Sequence, residues 1–427
     1  MKKKTLPFYL LTIIITIFLL ITACSFSDRA VSKNFSYTPS YSGSFEILTQ
    51  NAMLIPLESV APSYRQRALH LSELLAHSGF MIVGLQEIFW DRSQNMIIDA
   101  WYESRNSVKK DNQSPALKNP CGSIKDARDV TELSSLENPW GVEIIDARPP
   151  GNNKPARISF GPCHVLGPDT ASFNFLKQDS GLLIVSRYPV IAAGAFCFSD
   201  LSSSDRLASK GVVYARIKVG MKENDYIHFF NTHLQSHNYP GTRFKNLKEL
   251  FGFALNIVLP ELSCRGYINP VIMVGDFNVS ADMPSGWIEK AGIVSAGKGA
   301  AMPDDFDVNA NKSEEFAEFM EYFNNFSLSL GHDSFIIRDL WAETFQEEPG
   351  FTWIGKGWEL DSSNPYGKEG NKIAVENNPP QRIDYIFYFE GSGKTVIKPY
   401  EISLFPKKAQ DMQISDHLGL QAGFMLD

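Results

Sequence analysis

Three features of the 427-residue chain predict an α/β domain running from about residue 44 to the C-terminus. Short runs rich in β-branched and aromatic residues interleave with stretches of helical periodicity. The alternation continues to the end without a clear linker, and no solenoid-type repeat is visible. Hydrophobic residues make up 44% of the chain, enough to bury a large core and too many for broad disorder.

The elements follow in order. SFEILTQN (44–51) reads as a short strand ending in a polar residue. Tyr64, Ala68, Leu71 and Leu75 recur at helical spacing, and Gly79 is expected to stop that helix. FMIVGLQEI follows as a buried strand, whereas residues 91–178 are rich in Asn, Pro, Gly and Ser, with one helix expected at their start. SGLLIVSRYPV (180–190), GVVYARIKV (211–219) and YIHFFNTHL (226–234) are strand-like. Phe244, Leu247, Phe251 and Ala254 mark a second helix before NPVIMVGDFN, whose continuous apolar run suits a buried parallel strand. Residues 281–330 form a loop-and-helix insertion, and RIDYIFYFE and SDHLGLQAGFML complete the strands.

The N-terminus has its own chemistry. Lys2, Lys3 and Lys4 precede an apolar run from Leu6 to Leu20, the order of a signal peptide. That run is also long enough to serve as an uncleaved anchor. Ile21, Thr22, Ala23 and Cys24 resemble a bacterial lipobox, so residues 1–23 are read as the signal and Cys24 as the lipidated new N-terminus. Residues 24–43 are Ser-rich and aperiodic, a tether to the domain at 44–427. The expected location is the bacterial envelope, membrane-anchored through that lipid, or the secreted fraction. The formal net charge is −8 before the three lysines leave. An acidic surface repels phosphate backbones, so no nucleic-acid partner is expected. Cys121, Cys163, Cys197 and Cys264 match no zinc spacing. Cys121 with Cys163 is the preferred disulfide because both lie in loop-like sequence, and Cys197 is expected to be a buried thiol.

Several apolar strands end in polar groups. Asn51 closes the first, Glu87 follows MIVGLQ, and His233 ends FFNTH. Asp276 and Asn278 end NPVIMVGDFN, Asp384 interrupts RIDYIF, and Asp416 and His417 precede the last strand. Each has an ordinary explanation as a turn, a cap or a satisfied core histidine. Together they place oxygen donors and two imidazoles at strand ends, where layered α/β proteins bind ligands. Such a set suits a hard divalent cation with imidazole acid–base groups.

LQE, NTHL, GDFN, RIDY and SDH occur in the order of the endonuclease/exonuclease/phosphatase superfamily, which the chain resembles from about residue 44 to its end. The resemblance implies two packed mixed β-sheets flanked by helices, a four-layer, DNase-like α/β sandwich. It also implies metal-dependent phosphodiester or phosphomonoester hydrolysis. TQNAMLIP, SDRLASKGVVYARI and NTHLQS resemble sphingomyelinases of the phospholipase C type, implying a sphingolipid substrate in membranes, split to ceramide and phosphocholine.

By that resemblance, Glu87 is the main ligand of Mg²⁺ or another divalent cation, with Asn51 nearby through water or phosphate. Asp416 lies near the metal, facing away from its neighbour on a strand. His417 is the general base and Asp384 its orienter. His233 donates to the phosphate, and Asp276 and Asn278 position the attacking water and the phosphate. Lys210 either compensates phosphate charge or snorkels at the surface. The aromatic-tipped hairpin of some secreted sphingomyelinases is not found; FTWIGKGWE (351–359), with Trp353 and Trp358, is a candidate substitute, against ordinary burial. Two alternatives stand beside this reading: an exported nuclease of the same superfamily, and a non-catalytic lipoprotein that binds lipid.

Overall fold

A computed structural model describes residues 41–57, 61, 63–89, 91–107, 143–144, 160–161, 164–166, 179–281, 294–295, 314–329, 336–345, 350–353, 358–359, 381–405 and 414–427. In chain order the elements begin with β1 (Ser44–Asn51), α1 (Tyr64–His77), β2 (Ile82–Gln86) and α2 (Asp91–Ser107). Then come β3 (Glu143–Ile144), β4 (Phe160–Gly161), β5 (His164–Leu166), β6 (Leu183–Ser186), β7 (Val190–Cys197), β8 (Gly211–Lys218) and β9 (Tyr226–His233). The long helix α3 (Pro240–Arg265) leads to β10 (Val271–Asp276), β11 (Val294–Ser295) and α4 (Glu314–Ser329). The remainder is β12 (Arg338–Asp339), α5 (Leu340–Thr344), β13 (Trp358–Glu359), β14 (Asp384–Phe389), β15 (Ile397–Phe405) and β16 (Gly419–Leu426).

Two seven-stranded mixed sheets result, ordered β15-β16-β1-β2-β6-β5-β4 and β12-β14-β10-β9-β8-β7-β3, beside a two-stranded β11-β13 pair. Side-chain alternation packs them face to face. On β8, Val213, Ala215 and Ile217 join a core with Ile47, Ile82, Ile184 and Leu420 of the first sheet. Val212 and Tyr214 point the other way, into a layer with Leu247, Phe251 and Ala254 of α3 and Phe319 and Phe323 of α4. The same split divides β10: Ile272 and Val274 face the other sheet, Val271 and Met273 the helices. On the outer face of the first sheet α1 packs on α2, which reaches β6. The expected four-layer sandwich is the observed one.

Local departures have physical reasons. α1 ends at His77 with Ser78 already extended, one residue before Gly79. β15 escapes the strand pattern because it is an edge strand, mostly half-buried or exposed, with a register shift at Pro399/Glu401 where the missing proline N–H is tolerated. The last strand begins at Gly419, so Asp416 lies on a bend before it and not on a strand. The 281–330 insertion supplies α4, whose Phe319 ring meets Phe277 of the GDFN segment at 6.1 Å between centroids.

Cys197 is half-buried rather than buried, and the Cys264 thiol is exposed. Cys121, Cys163 and the signal and lipobox residues 1–24 lie outside the described residues. Among the described residues no helix is long and apolar enough to cross a membrane.

Candidate active site

The polar strand ends converge at one end of the sandwich because β1, β2, β9 and β10 all run toward it. β1 and β2 are parallel, as are β9 and β10, whose register sets Asp276 beside His233. β14 runs antiparallel to β10 and starts with Asp384 opposite Asp276. Gly275 opens the GDFN segment for a steric reason: its φ is +140°, and a Cβ there would lie 2.0 Å from the Thr232 carbonyl oxygen. Glu87 and Asn278 hold left-handed backbone at φ 58° and 53°, a strain that clusters at functional sites.

Asp276 is the hub. Its Oδ2 accepts from Asn51 Nδ2 at 3.0 Å and lies 3.4 Å from His233 Nε2 and 3.9 Å from His417 Nε2. Its Oδ1 accepts from the Asn278 N–H at 2.9 Å. Burial and the facing Asp384 push the Asp276 carboxyl up to about 7, against the pull of His417 and Lys210. His417 Nδ1 meets Asp384 Oδ2 at 2.8 Å. Burial disfavours the His417 cation, but Asp384, Asp416 and Asp276 outweigh it and hold its pKa well above the ordinary histidine value. On the other flank, burial and then Lys210 and His417 hold His233 well below that value, so it is neutral.

Lys210 does not snorkel. It is only 3% exposed, and its ammonium reaches His233 Nε2 at 2.9 Å, the Leu234 carbonyl at 3.0 Å and Asp205 Oδ2 at 2.8 Å. Three hydrogens meet three acceptors, so Lys210 acts from behind His233 rather than as a surface arm for phosphate. His233 Nε2 is an acceptor in this arrangement, which departs from the expectation that it donates to phosphate; its Nδ1 is buried without a hydrogen-bond partner.

Asn51 also resolves one way. Its Oδ1 accepts from the Met53 N–H at 3.1 Å, leaving Nδ2 to bridge Glu87 Oε1 at 3.2 Å and Asp276 Oδ2 at 3.0 Å. An amide N–H₂ facing the site suits a phosphate or a bridging water, and is no direct metal ligand. The Asn278 side chain turns to the Leu234 carbonyl at 3.1 Å and buttresses the neighbouring loop. Asp416 acts electrostatically on both Glu87 and His417.

The donor set fits a hard divalent cation. Burial, then Asp416, push Glu87 above the usual carboxylate range, a repulsion that a cation between them would relieve. Asp384 Oδ1 is buried without a hydrogen-bond partner. Oxygen or nitrogen atoms of Asp276, Asp384 and His417 also lie within 4.8 Å of one another.

Sequence reasoning missed the supports. Asp205 holds Lys210 and also accepts from the Ser236 N–H at 2.7 Å. Arg67 of α1 bonds the carbonyls of Ala52, Met53 and Ile414, tying the loop after Asn51 to the segment before Ser415. Thr352 Oγ1 accepts from the N–H groups of Ile383 and Asp384, both at 3.1 Å. Asn231 Nδ2 reaches across the sheets to the Leu85 and Leu183 carbonyls. The only signal for these was a polar residue inside an apolar segment, which Asn231 shows and Thr352 does not.

No family model matches the chain. It is 26% identical over 247 residues to a sphingomyelinase of Dictyostelium discoideum, covering 53% of this chain and 50% of that protein. It is 30% identical over 110 residues to sphingomyelinase C of Bacillus cereus, covering 24% of this chain and 30% of the relative. The chain therefore spans about half, or less, of the length of these curated relatives. Among solved structures it is similar to beta toxin from Staphylococcus aureus, with a TM-score of 0.43 and 17% identity over 88% of this chain and 99% of that one.

Proposed function

We propose, for a chain that belongs to the endonuclease/exonuclease/phosphatase superfamily, a phospholipase C-type reaction that hydrolyses sphingomyelin to ceramide and phosphocholine. The observation that carries it is the convergence of two imidazoles of opposite charge preference on one carboxylate, Asp276 Oδ2. Sphingomyelin is the substrate because the sequence relatives are sphingomyelinases, and Lys210 is turned to His233, the Leu234 carbonyl and Asp205 rather than outward to a polyanion.

Glu87, with Asp416 beside it, would hold Mg²⁺ or another divalent cation, and such an ion supplies Lewis acidity toward a phosphoryl oxygen. The proton work falls to the chain. Asp384 accepts the Nδ1 hydrogen of His417, so Nε2 is the nitrogen that exchanges a proton with water, and a cation held by Glu87 and Asp416 would offset the carboxylates that otherwise keep that nitrogen protonated. Asp384, Asp416 and Asp276 stabilise the imidazolium that forms. Asn51 Nδ2 holds the Glu87 and Asp276 carboxylates toward the reacting position, and Lys210 provides positive charge from behind His233.

The N-terminal features support an exported protein held at the envelope by lipid on Cys24. Purified protein incubated with sphingomyelin vesicles and, separately, with plasmid DNA in Mg²⁺ tests the activity. Phosphocholine release is expected; DNA nicking without it would replace the reading with a nuclease.

A further inference from the structure

We infer that Trp353 is the headgroup wall of this site, its indole face receiving the positively charged end of the phosphodiester substrate. The inference rests on the phosphodiesterase reading above and adds the residue that selects the headgroup.

The backbone places the indole. Residues 352–353 run as a short extended segment between the two halves of the catalytic pair. On one side Trp353 N donates to the Gln381 carbonyl at 2.9 Å and Gln381 N donates back at 2.8 Å. On the other, Trp353 forms an antiparallel bridge with His417, with Leu418 N donating to the Thr352 carbonyl at 2.6 Å. Because that hydrogen bond joins the residues flanking the pair, Trp353 and His417 are a non-hydrogen-bonded couple, the kind whose side chains stand closest. Directly opposed antiparallel residues project on the same face. The imidazole of His417 points to Asp384 and Asp276, so the indole stands beside it along the same wall. Phe351 and Thr352 are buried while Trp353 is half-buried, so its side chain is partly open to solvent.

Charge decides what that ring meets. Glu87, Asp276, Asp384 and Asp416 surround the reacting position, and the Lys210 ammonium is satisfied by Asp205, His233 and the Leu234 carbonyl. An aromatic face in a negative field attracts a quaternary ammonium through the ring quadrupole. A nucleobase also stacks on indole, but it brings no fixed positive charge for the surrounding carboxylates to attract.

The test compares three chromogenic diesters in Mg²⁺: p-nitrophenylphosphorylcholine, thymidine 5′-(p-nitrophenyl phosphate) and bis(p-nitrophenyl) phosphate. Trp353→Ala is expected to raise KM for the choline diester about tenfold while changing kcat about twofold or less. Turnover of the other two diesters should hold, and Trp353→Phe should keep most of the choline preference. An equal loss on all three would show that Trp353 merely props His417, a loss confined to the thymidine diester would make it a base platform, and no change would remove it from the site; each overturns the proposal. If the wild type hydrolyses none of the three, the phosphodiesterase reading itself has failed. Calorimetric titration of phosphocholine into wild type and Trp353→Ala then decides on Trp353 alone, with equal binding overturning the inference.

Discussion

Asp384 Oδ2 stands 2.8 Å from His417 Nδ1, joining the first residue of a strand in one sheet to the segment that leads into the last strand of the other. Asp384 opens β14 of the second sheet, whereas His417 lies two residues before β16 of the first. The Asp384–His417 pair therefore links the two halves of the sandwich and depends on how the two sheets are packed. His417→Ala is expected to lower sphingomyelin hydrolysis by about 10²–10⁴-fold. Asp384→Asn should lose much of the activity as well, because an amide can donate to the ring and favour the wrong tautomer. The double variant should be little worse than His417→Ala, since members of one catalytic unit are strongly non-additive. Phosphocholine release from all three, with melting curves to check folding, makes the comparison; independent, multiplicative losses would separate the two residues.

Glu87→Gln should weaken Mg²⁺ binding and raise the Mg²⁺ concentration needed for half-maximal activity at least about tenfold, because a neutral amide is a poor ligand for a hard cation. Calorimetric Mg²⁺ titration checks this without relying on turnover. Unchanged binding would move the metal toward Asp276 and Asp384.

The Asp276 carboxyl, pushed up to about 7, gives a signed pH dependence. Above the ordinary carboxylate range the folded protein keeps a proton that the unfolded chain has released, so the stability contributed by protonated Asp276 is lost as pH rises through that value. Asp276→Asn removes this loss. In EDTA, the melting temperature of the variant relative to wild type should rise by several degrees between about pH 5 and pH 8. A difference that is flat or falls across that range would contradict the raised value. His417 shares the sign of Asp276 and is raised in part by it, so the substitution lessens both contributions in the same direction; His233 has the opposite sign and is present in wild type and variant alike.

Thr352→Val keeps the shape of a fully buried side chain but removes the acceptor of the Ile383 and Asp384 N–H groups. Leaving buried donors unsatisfied should cost about 1–3 kcal/mol each, read by denaturant unfolding. Activity should fall as well, since Asp384 loses a bond that fixes its backbone. Wild-type stability in the variant would mean that the strand pairing alone satisfies both groups.

Cys24→Ser should move the protein from the membrane fraction to the soluble or secreted fraction while purified activity stays within about twofold of wild type. Fractionation of cells expressing both forms checks it. A variant that still sediments with membranes would point to an uncleaved Leu6–Leu20 anchor or to lipid binding by the domain itself.

Strand ends were legible in the sequence because burial forces a run to be apolar until it reaches the site, so Glu87, His233 and Asp276 announce themselves as polar groups closing apolar segments and Asp384 as one that opens the next. Motif order was enough for the fold and for the pairing of Asp384 with His417. Orientation was not legible, because each such choice depends on partners far away in the chain. Lys210 reads equally well as a surface arm until Asp205, His233 and the Leu234 carbonyl close around its ammonium. Asn51 reads as a metal neighbour until the Met53 N–H claims its oxygen and turns its nitrogen to the site. Thr352 carries no local signal and Trp353 reads only as an aromatic for membrane contact or burial, since nothing in FTW says that it will lie between Gln381 and His417. The role of the 281–330 insertion was likewise invisible until α4 placed Phe319 against Phe277, behind the GDFN turn. Residue type reports what a side chain can do in one dimension; which of its bonds face the substrate is set by contacts between residues brought together by the packing of two sheets.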